Sequence, residues 1–310
     1  MTPPAPYEVG QVLTVRCNSE TIPLRIKYLQ QPWTLSCGMV VEILDKSAEG
    51  ETQTAFLKLY DWRFAEQLRQ DQDVKPWTSE TEREYADFVL SGHMEEFCHS
   101  LEEENIRETD DDWSAGQKEA FLALAALRMY RSETVVYERL GNFQGNLVPR
   151  RISTVVVDVA AEEQDAHDKY GEHFQIRGIL LQHINGFNLS KLSSEAPSTS
   201  WQGIVDQAVG IVKVLGDNNI LNADVRPDNF LVMRSVDSEE DYRVFMVDFG
   251  QSRLRREDES DFDWGRAKWR QDEEGAVGLV MQHELRKLGT EIKYEPSLRY
   301  LEFAEGEDDE

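Results

Sequence analysis

Cysteine, long apolar runs and positive charge are all scarce in this sequence. The three cysteines, Cys17, Cys37 and Cys98, are far apart and odd in number, so neither a disulfide framework nor a zinc-spaced cluster is expected. We predict three reduced thiols in a reducing compartment. No apolar run approaches the ~20 residues of a membrane-spanning helix, and the N-terminal stretch MTPPAPYEVGQ lacks the apolar core of a signal peptide. These absences predict a soluble intracellular protein, cytoplasmic or nuclear, with no membrane partner.

The chain is strongly acidic. It carries 59 acidic residues against 33 basic ones, which gives a formal net charge of −26. Such a surface repels phosphate backbones, so nucleic acid is not expected as a partner, whereas a protein substrate or a basic binding partner is compatible with it. The 310 residues, of which 40% are hydrophobic, are enough for one large domain or for two lobes that share a cleft.

Strand patterns dominate the first part of the chain and helical patterns the second. Apolar and β-branched residues predict strands over 12–15, 34–44, 54–60, 153–159, 175–183, 230–233 and 243–247, with polar turns at 46–53 and 237–241. Helical spacing of apolar residues predicts helices over 61–69, from 78 to a loop at about 109–112, and over 114–140, 201–219 and 274–286. The acidic residues of 78–112 are interpreted as a solvated helix face, and the acidic tail 305–310 as frayed.

The most informative segment is ILNADVRPDNFLV, residues 220–232, which is followed by MVDFG at 246–250. Together they give Asp-x-x-x-x-Asn, a strand, a turn, a second strand and Asp-Phe-Gly. Phosphoryl transfer explains these residue types, because a divalent cation must offset the charge on the transferred group. The carboxylate of Asp248 and the amide of Asn229 are hard oxygen ligands for Mg²⁺ or Mn²⁺.

Two further side chains of this segment predict catalytic roles. Asp224 could accept or orient the proton of an attacking hydroxyl. Arg226 lies two residues later and is a candidate contact for the transferred phosphate. A hairpin between the two loops would hold these side chains in register with the metal ligands.

This combination resembles the catalytic loop and the Asp-Phe-Gly motif of protein kinases, although Asn222-Ala223 stands where the family usually has His-Arg. The resemblance covers most of residues 30–285 and is nearest to the divergent kinase-like proteins of fungi. It implies an α+β, bilobal protein kinase-like fold, in which a β-rich N-lobe carries a long acidic helical insertion and the helical C-lobe is shortened. The implied boundaries, within one kinase-like domain, are 1–184 for the N-lobe, about 70–130 for the insertion and 185–310 for the C-lobe.

The resemblance also implies an ion pair between a strand lysine and a helix glutamate. Lys58 in TAFLKLY and Glu133 in ETVVYERL fit these positions, because apolar residues follow the glutamate at helical spacing. Those residues are Tyr137 and Leu140. Glu138 is the competing glutamate and is disfavoured, since nothing apolar follows it at the same intervals.

The resemblance further implies an adenine site for ATP. Phe56 shares a strand face with Lys58, at a position where the family usually keeps a small residue, and is expected to lie over the adenine ring. Gly38 is the lone glycine of the expected phosphate-binding loop. The remaining contacts implied are Leu181 as the gate of the pocket, Gln182 and Ile184 as backbone partners of the adenine edge, and Leu231 as the floor.

The departures at Gly38, Phe56 and Asn222, together with two more, leave the activity open. No Ala-Pro-Glu-like stretch occurs over 251–272, and Glu273 opens a predicted helix that normally opens with aspartate. The basic stretches at 253–256 and 266–270 are interpreted as ordinary surface or phosphate-loop contacts. The favoured function is an ATP- and metal-dependent phosphotransferase that moves the γ-phosphate to a hydroxyl, with protein Ser/Thr as the expected acceptor. The alternatives are a pseudokinase that serves as a nucleotide-binding or protein-interaction scaffold, and an unrelated α+β fold with chance motifs.

Overall fold

The computed structural model separates the chain into two compact units. The first comprises Met1–Arg131 and Arg151–His183, and the second comprises Ser132–Arg150 and Ile184–Glu310. The residues that the structure describes are 7–18, 20–44, 53–158, 170–235 and 241–304. The predicted turns at 46–53 and 237–241, the end of the strand predicted at 153–159 and the predicted tail at 305–310 lie outside the described residues in whole or in part. Within the described residues, no helix is long and apolar enough to cross a membrane.

Six antiparallel strands of the first unit form a closed barrel. In chain order they are β1 (Val12–Cys17), β2 (Glu20–Gln30), β3 (Cys37–Ile43), β4 (Gln53–Leu59), β5 (Arg151–Asp158) and β6 (Gln175–Gln182). Their order around the barrel is β1-β2-β3-β4-β6-β5, and the pairing of Arg16 with Val156 joins β1 to β5. Alternate residues of a strand point to opposite faces, so the buried side chains of Leu13, Val15 and Cys17 fill the barrel.

The bilobal protein kinase-like fold expected from the sequence is wrong, because the strands of the first unit close into this barrel. The difference arises in the first 30 residues. The sequence predicts one short strand at 12–15, whereas the structure has a hairpin of β1 and the 11-residue β2. Pro23 lies within β2, and the pairing register shifts between Ile26 and Tyr28. Buried and exposed residues therefore do not alternate regularly along this strand. Closure is favoured physically because it removes the free edges that an open sheet exposes.

The helices that belong wholly or mainly to the first unit are α1 (Glu66–Asp71), α2 (Ser79–Leu90), α3 (Met94–Glu103) and α4 (Ala115–Arg139). The single helix predicted between residue 78 and the loop at about 109–112 is divided into α2 and α3, and Gly92 adopts a positive φ of 82° between them. Helix α4 confirms the prediction of a helix over 114–140 to within a residue at each end. Its residues from Ser132 onwards are grouped with the second unit.

A buried ion pair and an aromatic cluster hold these helices together. The guanidinium of Arg69 in α1 donates two hydrogen bonds to the Glu119 carboxylate in α4, at 2.5 and 3.0 Å, and both side chains are almost fully buried. The rings of Trp62, Trp77 and Tyr85 pack on one another with centroids 5.4–6.4 Å apart. Because a buried charge must be paired with an opposite charge, the contact between Arg69 and Glu119 fixes α4 against α1.

The second unit combines helices with two small sheets. Its further helices are α5 (Leu192–Glu195), α6 (Ser198–Asp217), α7 (Asp261–Gln271) and α8 (Glu273–Lys287). Its strands are β7 (Phe187–Asn188), β8 (Ile220–Asn222), β9 (Phe230–Arg234), β10 (Tyr242–Met246) and β11 (Ser252–Leu254). Strands β10, β9 and β7 form one sheet, and β11 pairs with β8 in the other. The structure confirms the helices predicted at 201–219 and 274–286 and the two short strands of the hairpin.

Candidate functional site

Two loops of the second unit lie side by side. Residues 223–229 join β8 to β9, and residues 247–251 join β10 to β11. Because β9 pairs with β10 and β8 pairs with β11, each loop is anchored at both ends. Two backbone hydrogen bonds also link the loops, from Val247 to the Asn229 carbonyl at 2.8 Å and from Ala223 to the Gln251 carbonyl at 3.0 Å. We call these segments the loop pair; it carries Asp224, Asn229 and Asp248.

The side chain of Asn229 is oriented by Asp224. Its amide nitrogen donates to the Asp224 carbonyl at 2.7 Å and to the Asp224 carboxylate at 3.0 Å. Both acceptors are oxygens, so the nitrogen must face Asp224 and the amide oxygen must face the other way. Asn229 is only 5% exposed, which restricts it to this orientation. The amide oxygen is therefore the atom that can ligate a cation, in the role predicted for Asn229.

Asp248 has a strained backbone conformation. Its φ of 67° lies in the left-handed region, which costs a residue with a side chain roughly 1–2 kcal/mol. Its carbonyl accepts a hydrogen bond from the Asn222 amide at 3.3 Å, and its carboxylate accepts one from Gly250 N–H at 3.4 Å. Aspartate tolerates this region better than most residues. Strain of this kind concentrates at functional sites, where the surrounding contacts maintain it.

Asn222 braces the loop pair at the position where the protein kinase pattern usually has histidine. Its side-chain oxygen accepts a hydrogen bond from Asp224 N–H at 2.8 Å, while its side-chain nitrogen donates to the Asp248 carbonyl. One fully buried amide therefore contacts both loops. A side chain that only donates or only accepts could not make both bonds.

A buried ion pair supports the strand that leads into the first loop. The Glu273 carboxylate accepts a hydrogen bond from Asn222 N–H at 2.8 Å and pairs with Lys268. The Lys268 ammonium also donates to the Ile220 carbonyl at 3.1 Å, so the pair holds both ends of β8. Burial raises the pKa of Glu273, and the charge of Lys268 opposes that rise. The interpretation of 266–270 as ordinary surface is wrong for Lys268, which is 5% exposed.

Arg226 lies beside Asp224 in the structure. Its Nη2 is 3.4 Å from Asp224 Oδ2, and about half of the arginine side chain is exposed, at 51%. An ion pair this open contributes little to stability. The guanidinium predicted to contact a transferred phosphate is thus held next to the carboxylate predicted to take up the proton.

The end of helix α4 contributes Glu133 and Tyr137 to the second unit. Glu133 is fully buried, whereas the competing Glu138 is exposed. Tyr137 packs edge to face on Phe249 of the Asp-Phe-Gly motif, with ring centroids 5.5 Å apart. The burial of Glu133 favours it over Glu138 as a functional carboxylate. The ion pair predicted between Glu133 and Lys58 stays a prediction.

The first unit holds Gly38, Phe56 and Lys58 in adjacent strands. Ala55, Leu57 and Leu59 of β4 are fully buried, so Phe56 and Lys58 share the other face of the strand. Gly38 is the cross-strand partner of Lys58 and lies within β3 rather than in a loop. A Cβ atom added to Gly38 would lie 2.8 Å from Cζ of Phe56, so the phenylalanine ring covers the glycine.

The other residues predicted for the adenine site are divided between the units. In the first unit, Leu181 pairs with Phe56 near the end of β6, and Gln182 is the last residue of that strand. In the second unit, Ile184 is buried and Leu231 pairs with Phe245 in the β9–β10 hairpin. The contacts with adenine predicted for Leu181, Gln182, Ile184 and Leu231 stay predictions.

The donor set of the loop pair suits a cation that arrives with its own ligand. Among the described residues, no group of three or more His, Cys, Asp and Glu side chains could hold a metal ion. Asp248 and Asn229 offer two hard oxygens, whereas Mg²⁺ takes about six ligands in a near-octahedral shell. Phosphate oxygens and waters supply the rest when Mg²⁺ binds with a nucleotide. The residues therefore fit a nucleotide-bound Mg²⁺ or Mn²⁺.

No protein-family model matches the chain, and no curated protein shows significant similarity to it. Its function is therefore inferred from the geometry of the loop pair.

Proposed function

We propose that the loop pair binds ATP with Mg²⁺ or Mn²⁺ and transfers the terminal phosphate to a hydroxyl, with a protein serine or threonine as the expected acceptor. The orientation of Asn229 carries this proposal. The side-chain nitrogen of Asn229 donates to Asp224, so the side-chain oxygen of Asn229 is left to bind the cation. The Asp224 carboxylate beside it accepts the proton. Phosphoryl transfer depends on positioning these two functions together.

The residues of the loop pair have separate roles in this reaction. The oxygen of the attacking hydroxyl bonds to the terminal phosphorus, the bond from that phosphorus to the bridging oxygen breaks, and Asp224 takes the hydroxyl proton. Asn229 and Asp248 hold the cation, which offsets the charge of the phosphates when it is bound. Asn222 keeps Asp224 and Asp248 at a fixed separation through its two hydrogen bonds.

A nucleotide-binding scaffold without turnover is the second candidate. Arg226 forms an ion pair with Asp224, the carboxylate that would have to accept the proton. Phe56 covers Gly38, the glycine predicted to approach the phosphates. Both features favour binding without efficient transfer.

Two substitutions in the loop pair separate these functions. Asp224→Asn should abolish phosphate transfer and retain nucleotide binding, because an amide oxygen can still accept from Asn229 but cannot take up a proton. Asp248→Asn should remove the metal-dependent part of binding, while asparagine tolerates the left-handed φ. Transfer of labelled phosphate from ATP and the melting temperature with ATP, with and without Mg²⁺ or Mn²⁺, measure the two effects. Nucleotide at about 100 times its Kd should stabilise the wild type by ~2.7 kcal/mol.

The matched control is Asp228→Asn. Asp228 lies in the same loop and is exposed, and its carboxylate accepts a hydrogen bond from Ser190, which asparagine can also accept. This variant removes the same charge and should behave like the wild type. Binding without transfer, with either metal, would favour the scaffold. A melting temperature that ATP does not change, with or without metal, would contradict both functions.

A further inference from the structure

A groove of about 650 Å³ lies in the first unit between α3 and the start of α4. Its apolar lining consists of Phe97, Ile106 and Trp113, which are buried or half-buried, and the two rings pack edge to face with centroids 5.0 Å apart. The charged residues of the lining are exposed and all acidic. They are Glu104, Glu108, Asp110 and Asp111. We call the three apolar side chains the floor of the groove and the four acidic side chains its rim.

The rim carboxylates lack counterions from the described part of the chain. None of the four forms an ion pair there. Arg107, the one base between residues 102 and 112, donates to the Asn105 side chain at 2.5 Å. Residues 78–112 contain 13 acidic residues and 2 arginines, and the difference is a net charge of −11. An occupant of the groove would have to bring positive charge to the rim and apolar surface to the floor.

Hydrogen bonds hold the rim in place. Thr109 donates from its backbone to the Gln72 side chain at 3.0 Å and from its hydroxyl to the Gln72 carbonyl at 2.7 Å. The Asp110 carboxylate accepts a hydrogen bond from Asp112 N–H at 2.9 Å, and the Asp110 carbonyl accepts one from Trp113 N–H at 3.2 Å. A groove that is fixed before binding loses less conformational entropy when a ligand enters.

We propose that this groove binds a basic segment of a partner protein, with arginine or lysine side chains at the rim and an apolar side chain on the floor. Arginine suits the lining well, because its guanidinium pairs with carboxylates and also stacks on tryptophan. The volume falls within the ~300–1,000 Å³ that is usual for ligand clefts. The groove belongs to the first unit, so this inference does not depend on phosphate transfer.

A labelled peptide tests the proposal directly. Fluorescence anisotropy would follow binding to the full chain of a short fluorescein-labelled peptide that carries arginines on either side of a leucine. We expect saturable binding that weakens with added salt, because exposed charges are screened. A peptide with glutamate in place of arginine should not bind. A peptide that keeps the arginines but replaces leucine with glycine should bind more weakly, because it leaves the floor uncovered.

Two pairs of substitutions with equal charge change locate the site. Asp110→Asn with Asp111→Asn removes two rim carboxylates, and asparagine at 110 can still accept from Asp112 N–H. Glu95→Gln with Glu96→Gln removes two exposed carboxylates of α3 that do not line the groove. The rim variant should weaken peptide binding about three- to tenfold, whereas the α3 variant should change it less than about twofold. Thermal melts of both variants show whether the fold is kept.

Three results would overturn the proposal. Equal weakening by the two variants would mean that the peptide responds only to net charge. Displacement of the peptide by spermine, with the same loss in both variants, would identify simple counterion attraction. An unchanged affinity after Trp113→Leu, in a variant that melts like the wild type, would show that the floor is not used.

Discussion

At the scale of single residues, the Phe56 ring on one face of β4 covers Gly38 of the neighbouring strand. The Phe56 ring lies over Gly38 and is only half-buried, on the strand face that also carries Lys58. A half-buried ring can be displaced by a ligand, but the ligand must replace the apolar contacts that the ring loses. Burial of an aromatic or large aliphatic side chain contributes roughly 1.5–3 kcal/mol.

Phe56→Val should therefore tighten ATP binding by about tenfold, since each ~1.4 kcal/mol changes affinity tenfold. The smaller side chain no longer covers the face where adenine is predicted to bind. Titration with a fluorescent ATP analogue measures the effect, and Val40→Ala is the control. Val40 is the cross-strand partner of Phe56, so this variant trims the same face without removing a ring.

A weaker affinity of the Phe56 variant would mean that the ring stacks beside the nucleotide rather than covering its site. An affinity equal to that of the wild type in both variants would show that this face of β4 does not contact the nucleotide. Either result would leave the loop pair unaffected, because its residues belong to the second unit.

At the scale of secondary-structure elements, the loop pair depends on β8, and β8 depends on the Lys268–Glu273 ion pair. The pair lies in a buried setting, where removal of one partner leaves the other charge without compensation. The nearby pair of Lys213 and Glu274 provides a comparison. Its atoms are 3.7 Å apart and Lys213 is 55% exposed, so that contact contributes little.

Lys268→Met should destabilise the protein by about 3–5 kcal/mol at neutral to alkaline pH. Glu273 then keeps the burial that raises its pKa and loses the lysine that opposes the rise. The folded state consequently binds a proton more readily than the unfolded chain, whose glutamate has a pKa of 4.5. The loss of stability should be small near pH 5 and should grow as the pH rises through the raised pKa.

Urea denaturation of Lys268→Met and of Lys213→Met at about pH 5 and pH 8 checks this expectation. The Lys213 variant should lose at most ~1 kcal/mol at either pH. A penalty for the Lys268 variant that is the same at both pH values would show that Glu273 does not change its protonation in the folded state. The lost packing of the lysine stem would then account for the whole effect.

Several helices and the β9–β10 hairpin could be predicted from the sequence because their signals are local. The periodicity of 114–140 fits α4, and the spacing from Asp224 to Asn229 is contained within one loop. The barrel could not be predicted, because its closure pairs Arg16 with Val156, two residues that are remote in the chain. Lys268 was missed for a different reason. Its partner Glu273 is only five residues away, but the two residues lie in successive helices, so no helical spacing relates them.

At the scale of the whole molecule, the acidic residues outnumber the possible cationic partners. With 59 acidic residues and 33 lysines and arginines, one-to-one pairing would leave 26 carboxylates without a lysine or arginine partner. Mutual repulsion among these charges destabilises a compact chain. Part of the excess lies in residues 78–112, where the acidic groove also lies.

Added salt should therefore stabilise the protein at pH 8. Raising NaCl from about 10 mM to about 150 mM shortens the screening length from ~30 Å to ~8 Å. Relief of about 1 kcal/mol of repulsion would raise the melting temperature of a chain of this length by on the order of 1–2 °C. The effect should shrink as the pH approaches the isoelectric point near 4.6, where the net charge vanishes, and a scan at about pH 5.5 provides that comparison. A melting temperature that falls with NaCl at pH 8 would show that attractive ion pairs, such as those of Arg253 with Glu259 and Arg299 with Asp217, outweigh the repulsion.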